Sequence, residues 1–324
     1  RYNNGVPSNG SGCGNETASD RYMFRKFMID STEFWASEYK LGGFRFDLMG
    51  LLDAQTVMSG YEKCAEIKKD VLFIGEGWKM YNGEKGTVGM DQNYMTKTEK
   101  VAVFNDEFRD LAKAGGMSEA GQGFLTGKKV SIPDLFCNCS GKPVHNYSVT
   151  KPSSNVQYFA CHDGLTLHDS IVNNIPLDES TEEGKIEAVN RLKLANALLL
   201  TSQGIAFLHA GQERGRTKTA FTTAGTDDCE TIGNFVKNSY DSSDNINNFV
   251  WNISDLNKDL LEYTKNLISL RKNNSAFTIS TQDEVMSRIS LLGEYCDDFF
   301  MAYKIADSVG DWYLFFNSNK EDKK

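Results

Sequence analysis

Between residues 20 and 39, Phe24, Phe27, Met28, Phe34 and Trp35 recur mostly at helical spacing, and Gly42-Gly43 ends the pattern. The next five residues, Gly43-Phe44-Arg45-Phe46-Asp47, alternate aromatic with charged. That alternation predicts a strand with Arg45 and Asp47 on one face and both phenylalanines on the other. A charged pair facing inward is unusual for a plain core strand. A helical stretch over 54–68 and the apolar run Val71-Leu72-Phe73-Ile74 complete a strand, helix, strand unit of about thirty residues. Further apolar runs at 101–104, 156–159 and 205–208, the last preceded by an amphipathic helix over 186–200, bring the candidate parallel strands to five.

After Gln212-Glu213 a polar, glycine-containing segment of about forty residues precedes a helix predicted over 255–271, with Leu256, Leu260, Tyr263, Leu267 and Leu270 on one side. This helix reads as the close of the domain. Beyond Phe277 the period changes to two, and strands over 299–305 and 312–316 read as the start of an antiparallel β-domain. The expected organisation is a barrel portion over 1–280 and a truncated all-β domain over 281–324.

Five parallel strands with intervening helices fit either an open sheet or part of a closed barrel. The strand ends favour the barrel. Arg45 with Asp47, Glu76, Asn105 with Asp106, His162 with Asp163, and His209 with Glu213 fall at or just past the C-terminal ends of five strands, where barrel enzymes assemble their sites. No Gly-x-Gly-x-x-Gly or Gly-x4-Gly-Lys-Ser/Thr phosphate loop occurs, which weighs against a nucleotide enzyme.

Composition narrows the partners. With 35 basic and 44 acidic residues the net charge is −9, which argues against a nucleic-acid backbone and fits a neutral substrate. The longest apolar runs fall well short of the ~20 residues of a membrane span. Seven dispersed cysteines without metal-type spacing favour free thiols and a reducing, cytoplasmic compartment. Because the chain begins at Arg1 inside a loop-like segment, it leaves open a targeting segment upstream, and with it secretion.

Asp47 and Glu76 stand at the ends of adjacent predicted strands. Neighbouring strands lie ~4.8 Å apart, close to the ~5–5.5 Å between carboxyl groups that glycoside hydrolysis with retention requires. Taken singly, each carboxylate reads more readily as a helix cap or as the partner of a basic side chain.

The motifs decide between these readings. Gly43-Phe44-Arg45-Phe46-Asp47-Leu48-Met49-Gly50, Gly75-Glu76-Gly77-Trp78 and Tyr158-Phe159-Ala160-Cys161-His162-Asp163 resemble three of the four short regions that define the α-amylase superfamily. The Glu-Gly-Trp form is similar to type I pullulanases, which cleave α-1,6 glucosidic branches. Supporting matches run from Gly14-Asn15-Glu16-Thr17-Ala18-Ser19 through Phe207-Leu208-His209-Ala210-Gly211-Gln212-Glu213 to Asn238-Ser239-Tyr240-Asp241-Ser242-Ser243-Asp244.

The resemblance implies a partial (β/α)8 TIM barrel, about strands four to eight with their helices, followed by the beginning of the antiparallel β-domain. It implies Asp47 as nucleophile, Glu76 as general acid and then base, and Asp163 as the third carboxylate. Substrate contacts would come from Arg45, His162, Trp78, Asn105, Asp106, Arg109 and Asp244. No cofactor is required, a structural calcium is not readable, and the expected partner of a monomer is an α-glucan. Gly164 departs from the asparagine more usual in the family, and the three preceding strands with their Asp, Asn and His-rich region do not occur. The isolated fragment is therefore expected to be inactive. Alternatives are another specificity of the superfamily (amylopullulanase, isoamylase or α-amylase) or an inactive sugar-binding relative.

Overall fold

The computed structural model describes residues 1–3, 5–14, 16–220, 229–319 and 321. Asn15 of the first supporting motif and residues 221–228 of the long polar segment lie outside the described residues. The chain divides into two units, residues 1–104 with 143–156, and 105–142 with 157–324.

In the first unit, helix α1 (Tyr22–Glu38) leads to strand β1 (Gly43–Phe46). Helix α2 (Ala54–Ile67) then connects to strand β2 (Leu72–Gly75), and strand β3 (Val101–Phe104) follows. Helix α2 starts where it does because Asp53 caps it, accepting from the backbone N–H of Thr56 at 3.0 Å. The strands are parallel and add in chain order: Arg45 pairs with Ile74, Ile74 with Ala102, and Val103 with Asn155 of strand β4 (Asn155–Gln157). Phe44 and Phe46 do share a face, on which their rings and that of Tyr61 surround Phe73 at 5.3–5.6 Å between centroids. Met49, Val57, Cys64, Val101 and Val103 extend this core. Tyr22, Met23 and Phe27 of α1 are exposed, as is Tyr39 just past its end.

The second unit carries helices α3 (Asp106–Ala112), α4 (Ile132–Cys139), α5 (Leu167–Asn174) and α6 (Glu182–Thr201). Strand β5 is short, Ile205–Ala206, and just beyond it Phe207 N–H donates to the carbonyl of Gln157 at 2.9 Å. Helix α7 (Asp255–Asn273) packs against α6, with Asn196 donating to Thr264 at 3.0 Å between them. The C-terminal segment opens with a further helix, α8 (Gln282–Arg288), before the antiparallel strands β6 (Ile289–Leu291), β7 (Phe300–Ile305) and β8 (Trp312–Asn317). Ile289 is opposite Ile305 and Tyr303 opposite Leu314. The second core runs from Phe108, Leu135 and Phe159 through Leu198 and Leu199 to Tyr303. Among the described residues no helix is long and apolar enough to cross a membrane.

Candidate active site

Strand β1 ends at Phe46, and the chain turns there, so Asp47 stands on the turn rather than on the strand face expected for it. Leu48 follows with φ +44°, a left-handed conformation that costs a non-glycine residue ~1–2 kcal/mol. Its backbone N–H donates to Glu76 Oε2 at 2.8 Å. The strained turn and the end of β2 are thereby tied together.

Arg45 joins the two carboxylates. One guanidinium nitrogen pairs with Asp47 Oδ1 and the other with Glu76 Oε1, the latter at 2.6 Å. The guanidinium carbon lies over the Phe104 ring, 5.7 Å from its centre. One oxygen of Asp47 and one of Glu76 lie within 4.8 Å of each other. Their exposure differs: the Asp47 side chain is 73% exposed, that of Glu76 15%. In this arrangement Glu76 accepts from Arg45 and Leu48, so donating a proton requires one of its oxygens to turn away from those partners.

The segment carrying Glu76 is fixed by close backbone approach. A Cβ at Gly77 would fall 2.4 Å from Val103 Cγ1, and Val103 is fully buried. The Gly77 carbonyl is further held by the backbone N–H of Gln92, which donates to it at 2.8 Å. Trp78 is half-buried two residues past Glu76, its carbonyl accepting from Met80 N–H.

In the second unit His162 and Asp163 are exposed neighbours, with His162 Nε2 3.4 Å from Asp163 Oδ2. Gly164 follows with φ +79°, a region that glycine enters freely and asparagine tolerates better than most residues. The departure from asparagine thus preserves the backbone. Its side-chain space is taken by Glu119, whose Oε1 would lie 2.2 Å from a Cβ at Gly164 and whose other oxygen accepts from buried Lys113 at 2.6 Å.

The remaining expected contacts separate. Asn105 is completely buried and caps α3, accepting from Phe108 N–H at 3.1 Å and donating to Asn138 and Gln157 at 3.0 Å each. It caps the helix from a fully buried position. Asp106 occupies the first turn of α3. Arg109 donates to Asp110 at 2.7 Å and to the Tyr158 hydroxyl at 2.8 Å. Burial opposes the Arg109 charge, yet Asp110, Tyr158 and Asp106 together carry its pKa above the ordinary value. Asp244 is exposed at the start of the short helix Asp244–Asn247.

Sequence reasoning missed a buried cluster beyond Asp163. Asp169 is inaccessible to solvent and accepts from Thr217 Oγ1 and, at 2.8 Å, from Lys218 N–H. His168 lies between Asp169 Oδ1 at 3.0 Å and Glu179 Oε1 at 2.9 Å. Burial opposes its charge, but the two carboxylates prevail and push its pKa up to about 9. His209 goes the other way: burial, then the charges of Lys218 and Arg216, push it down to about 4. The one sequence signal was Thr166-Leu167-His168-Asp169, a capping pattern in which Asp169 N–H donates to Thr166 Oγ1 at 3.1 Å.

No protein-family model matches the chain. Pullulanase A of Streptococcus pneumoniae serotype 4 (strain ATCC BAA-334 / TIGR4) is 38% identical over 216 residues, covering 66% of this chain and 17% of that protein. The pullulanase of Bacillus subtilis (strain 168) is 35% identical over 217 residues, covering 66% of this chain and 30% of that protein. The chain thus spans between about a sixth and a third of the length of these curated relatives. Among solved structures, the product complex of a multi-modular glycogen-degrading pneumococcal virulence factor superposes with a TM-score of 0.91 at 32% identity, over 99% of this chain and 36% of that one. The Group B Streptococcus pullulanase in complex with maltotetraose gives 0.89 at 33% identity, over 98% of this chain and 44% of that one. These neighbours show the architecture expected from the strand ends, a portion of a (β/α)8 barrel followed by antiparallel strands.

Proposed function

Taking as premise that this chain belongs with the pullulanases among the glycoside hydrolases, we propose that the protein it forms hydrolyses α-1,6 branch linkages of an α-glucan with retention of configuration. The observation that carries this reading is the pair of carboxylates joined by Arg45, with oxygens within 4.8 Å. That separation suits the ~5–5.5 Å of retaining enzymes and leaves too little room for the water that inverting enzymes place across ~6.5–9.5 Å.

Asp47 is the more exposed carboxylate and attacks the anomeric carbon, forming a covalent glucosyl ester, while Glu76 protonates the departing glycosidic oxygen. Glu76 then takes a proton from the water that cleaves the ester. Arg45 holds both groups in register, and Asp163 with His162 binds the hydroxyls of the flattening sugar ring. Trp78, Asp106, Arg109 and Asp244 remain candidate sugar contacts. The chemistry calls only for two carboxyl groups and water, so no cofactor enters it. Product analysis tests the specificity: the protein should release maltotriose from pullulan, whereas panose or isopanose would assign an α-1,4 cleavage instead.

A further inference from the structure

The turn after β4 sets a thiol, which the proposed hydrolysis does not use, beside the sugar-binding candidates His162 and Asp163. Cys161 Sγ lies 3.3 Å from His162 Nδ1, and the opposite ring nitrogen, Nε2, lies 3.4 Å from Asp163 Oδ2. An ionised carboxylate only accepts, so it favours the tautomer with the proton on Nε2, leaving the lone pair of Nδ1 facing the thiol. Nucleophile, base and orienting carboxylate are therefore three consecutive residues. Cys161 is half-buried, and its neighbours His162 and Asp163 have side chains 48% and 71% exposed.

Five of the other six thiols stand in different surroundings, and Cys229 is half-buried. Cys64 and Cys139 are buried, and burial pushes the Cys139 thiol up to about 12. Burial also raises Cys137, and Cys296 is bound to the Leu292 and Ala302 carbonyls. Cys13 is exposed, but its sulfur contact is the Ser11 carbonyl at 4.0 Å. Among the described residues, a ring nitrogen beside a thiol is recorded at Cys161.

We propose that Cys161 is a covalent modification site, a thiol activated by His162 that undergoes exchange with low-molecular-weight disulfides. The thiol proton passes to His162 Nδ1 as the sulfur attacks one sulfur of the disulfide. The S–S bond of the reagent breaks, a mixed disulfide forms at Cys161, and the departing thiolate leaves as a thiol with the proton returned from the imidazolium. The disulfide is the oxidant, and a small thiol in excess reverses the step. The adduct would crowd His162 and Asp163; its effect on hydrolysis rests on the function proposed above, but its formation does not.

The test incubates the native protein with oxidised glutathione and follows each cysteine by peptide mass spectrometry. Cys161 should react at least about tenfold faster than the more exposed Cys13, and His162→Gln and Asp163→Asn should each slow Cys161 by about fivefold or more without changing Cys13. A Cys161 rate no higher than that of Cys13, or one unchanged in both variants, overturns the proposal. If a substitution opens the fold, Cys64 and Cys139 become modified as well, and the ratio of Cys161 to Cys13 in the unsubstituted protein decides alone. Because adduct mass is read rather than sugar release, failure of the debranching reading and failure of this one are separate outcomes.

Discussion

The nearness of Asp47 to Glu76 was legible from where the predicted strands end, whereas the roles expected of them came from the motif resemblance. If Asp47 is the nucleophile, Asp47→Ala in the protein bearing this sequence should lower kcat by about a thousandfold or more while glucan binding persists, since the nucleophile acts chiefly in the transition state. Turnover assays beside equilibrium binding check this, and a loss below about tenfold in kcat would remove Asp47 from that role. Asn105 shows where such reasoning stops. A polar residue after an apolar run reads the same whether it faces a ligand or caps a helix, and only its complete burial and three polar partners distinguish the two. The same holds for Asp169, whose role is set by Thr217 and Lys218, far from it in sequence.

At the scale of elements, β1, α2, β2 and β3 were legible because short strands and amphipathic helices alternate with clear breaks. After Phe277 the sequence was read as strands over 299–305 and 312–316 with no helix before them, yet α8 begins at Gln282, started by a Thr281 cap that accepts from Glu284 N–H at 3.2 Å. With only two turns, that helix leaves too short a periodic trace. The junction of β2 with the Glu76 segment offers a packing test. Gly77→Ala should destabilise the protein by about 1–3 kcal/mol, because a buried β-branched Val103 cannot yield to the added methyl. Val103→Ala should be less harmful in that background than alone, as a double-mutant cycle in denaturant would show; strictly additive effects would contradict the contact.

The histidines near α5 give a pH dependence of opposite signs. His168, raised to about 9, contributes stability that is complete below the unfolded-state pKa and is lost as pH rises through about 9. His209, lowered to about 4, stays neutral in the fold while the unfolded chain takes up a proton, so its effect reduces stability as pH falls below the unfolded value toward about 4. Denaturant midpoints should therefore fall toward both pH extremes from near the ordinary imidazole pKa. His168→Gln should flatten the alkaline limb and His209→Gln the acidic one. Limbs unchanged in those variants would contradict the assignments.

For the whole molecule, the acidic balance and the absence of a phosphate loop pointed to a neutral substrate, and three short motifs supplied the family resemblance that pattern alone could not. The structure adds the guanidinium that joins two carboxylates across parallel strand ends. In the proposed reaction, bond cleavage at these carboxylates passes through a covalent glucosyl enzyme. The most direct test is proton NMR of the reducing-end anomers during the first minutes of pullulan hydrolysis, before mutarotation equilibrates them. The account predicts that the α-anomer appears first and the β-anomer grows only with mutarotation; initial release of the β-anomer would contradict it.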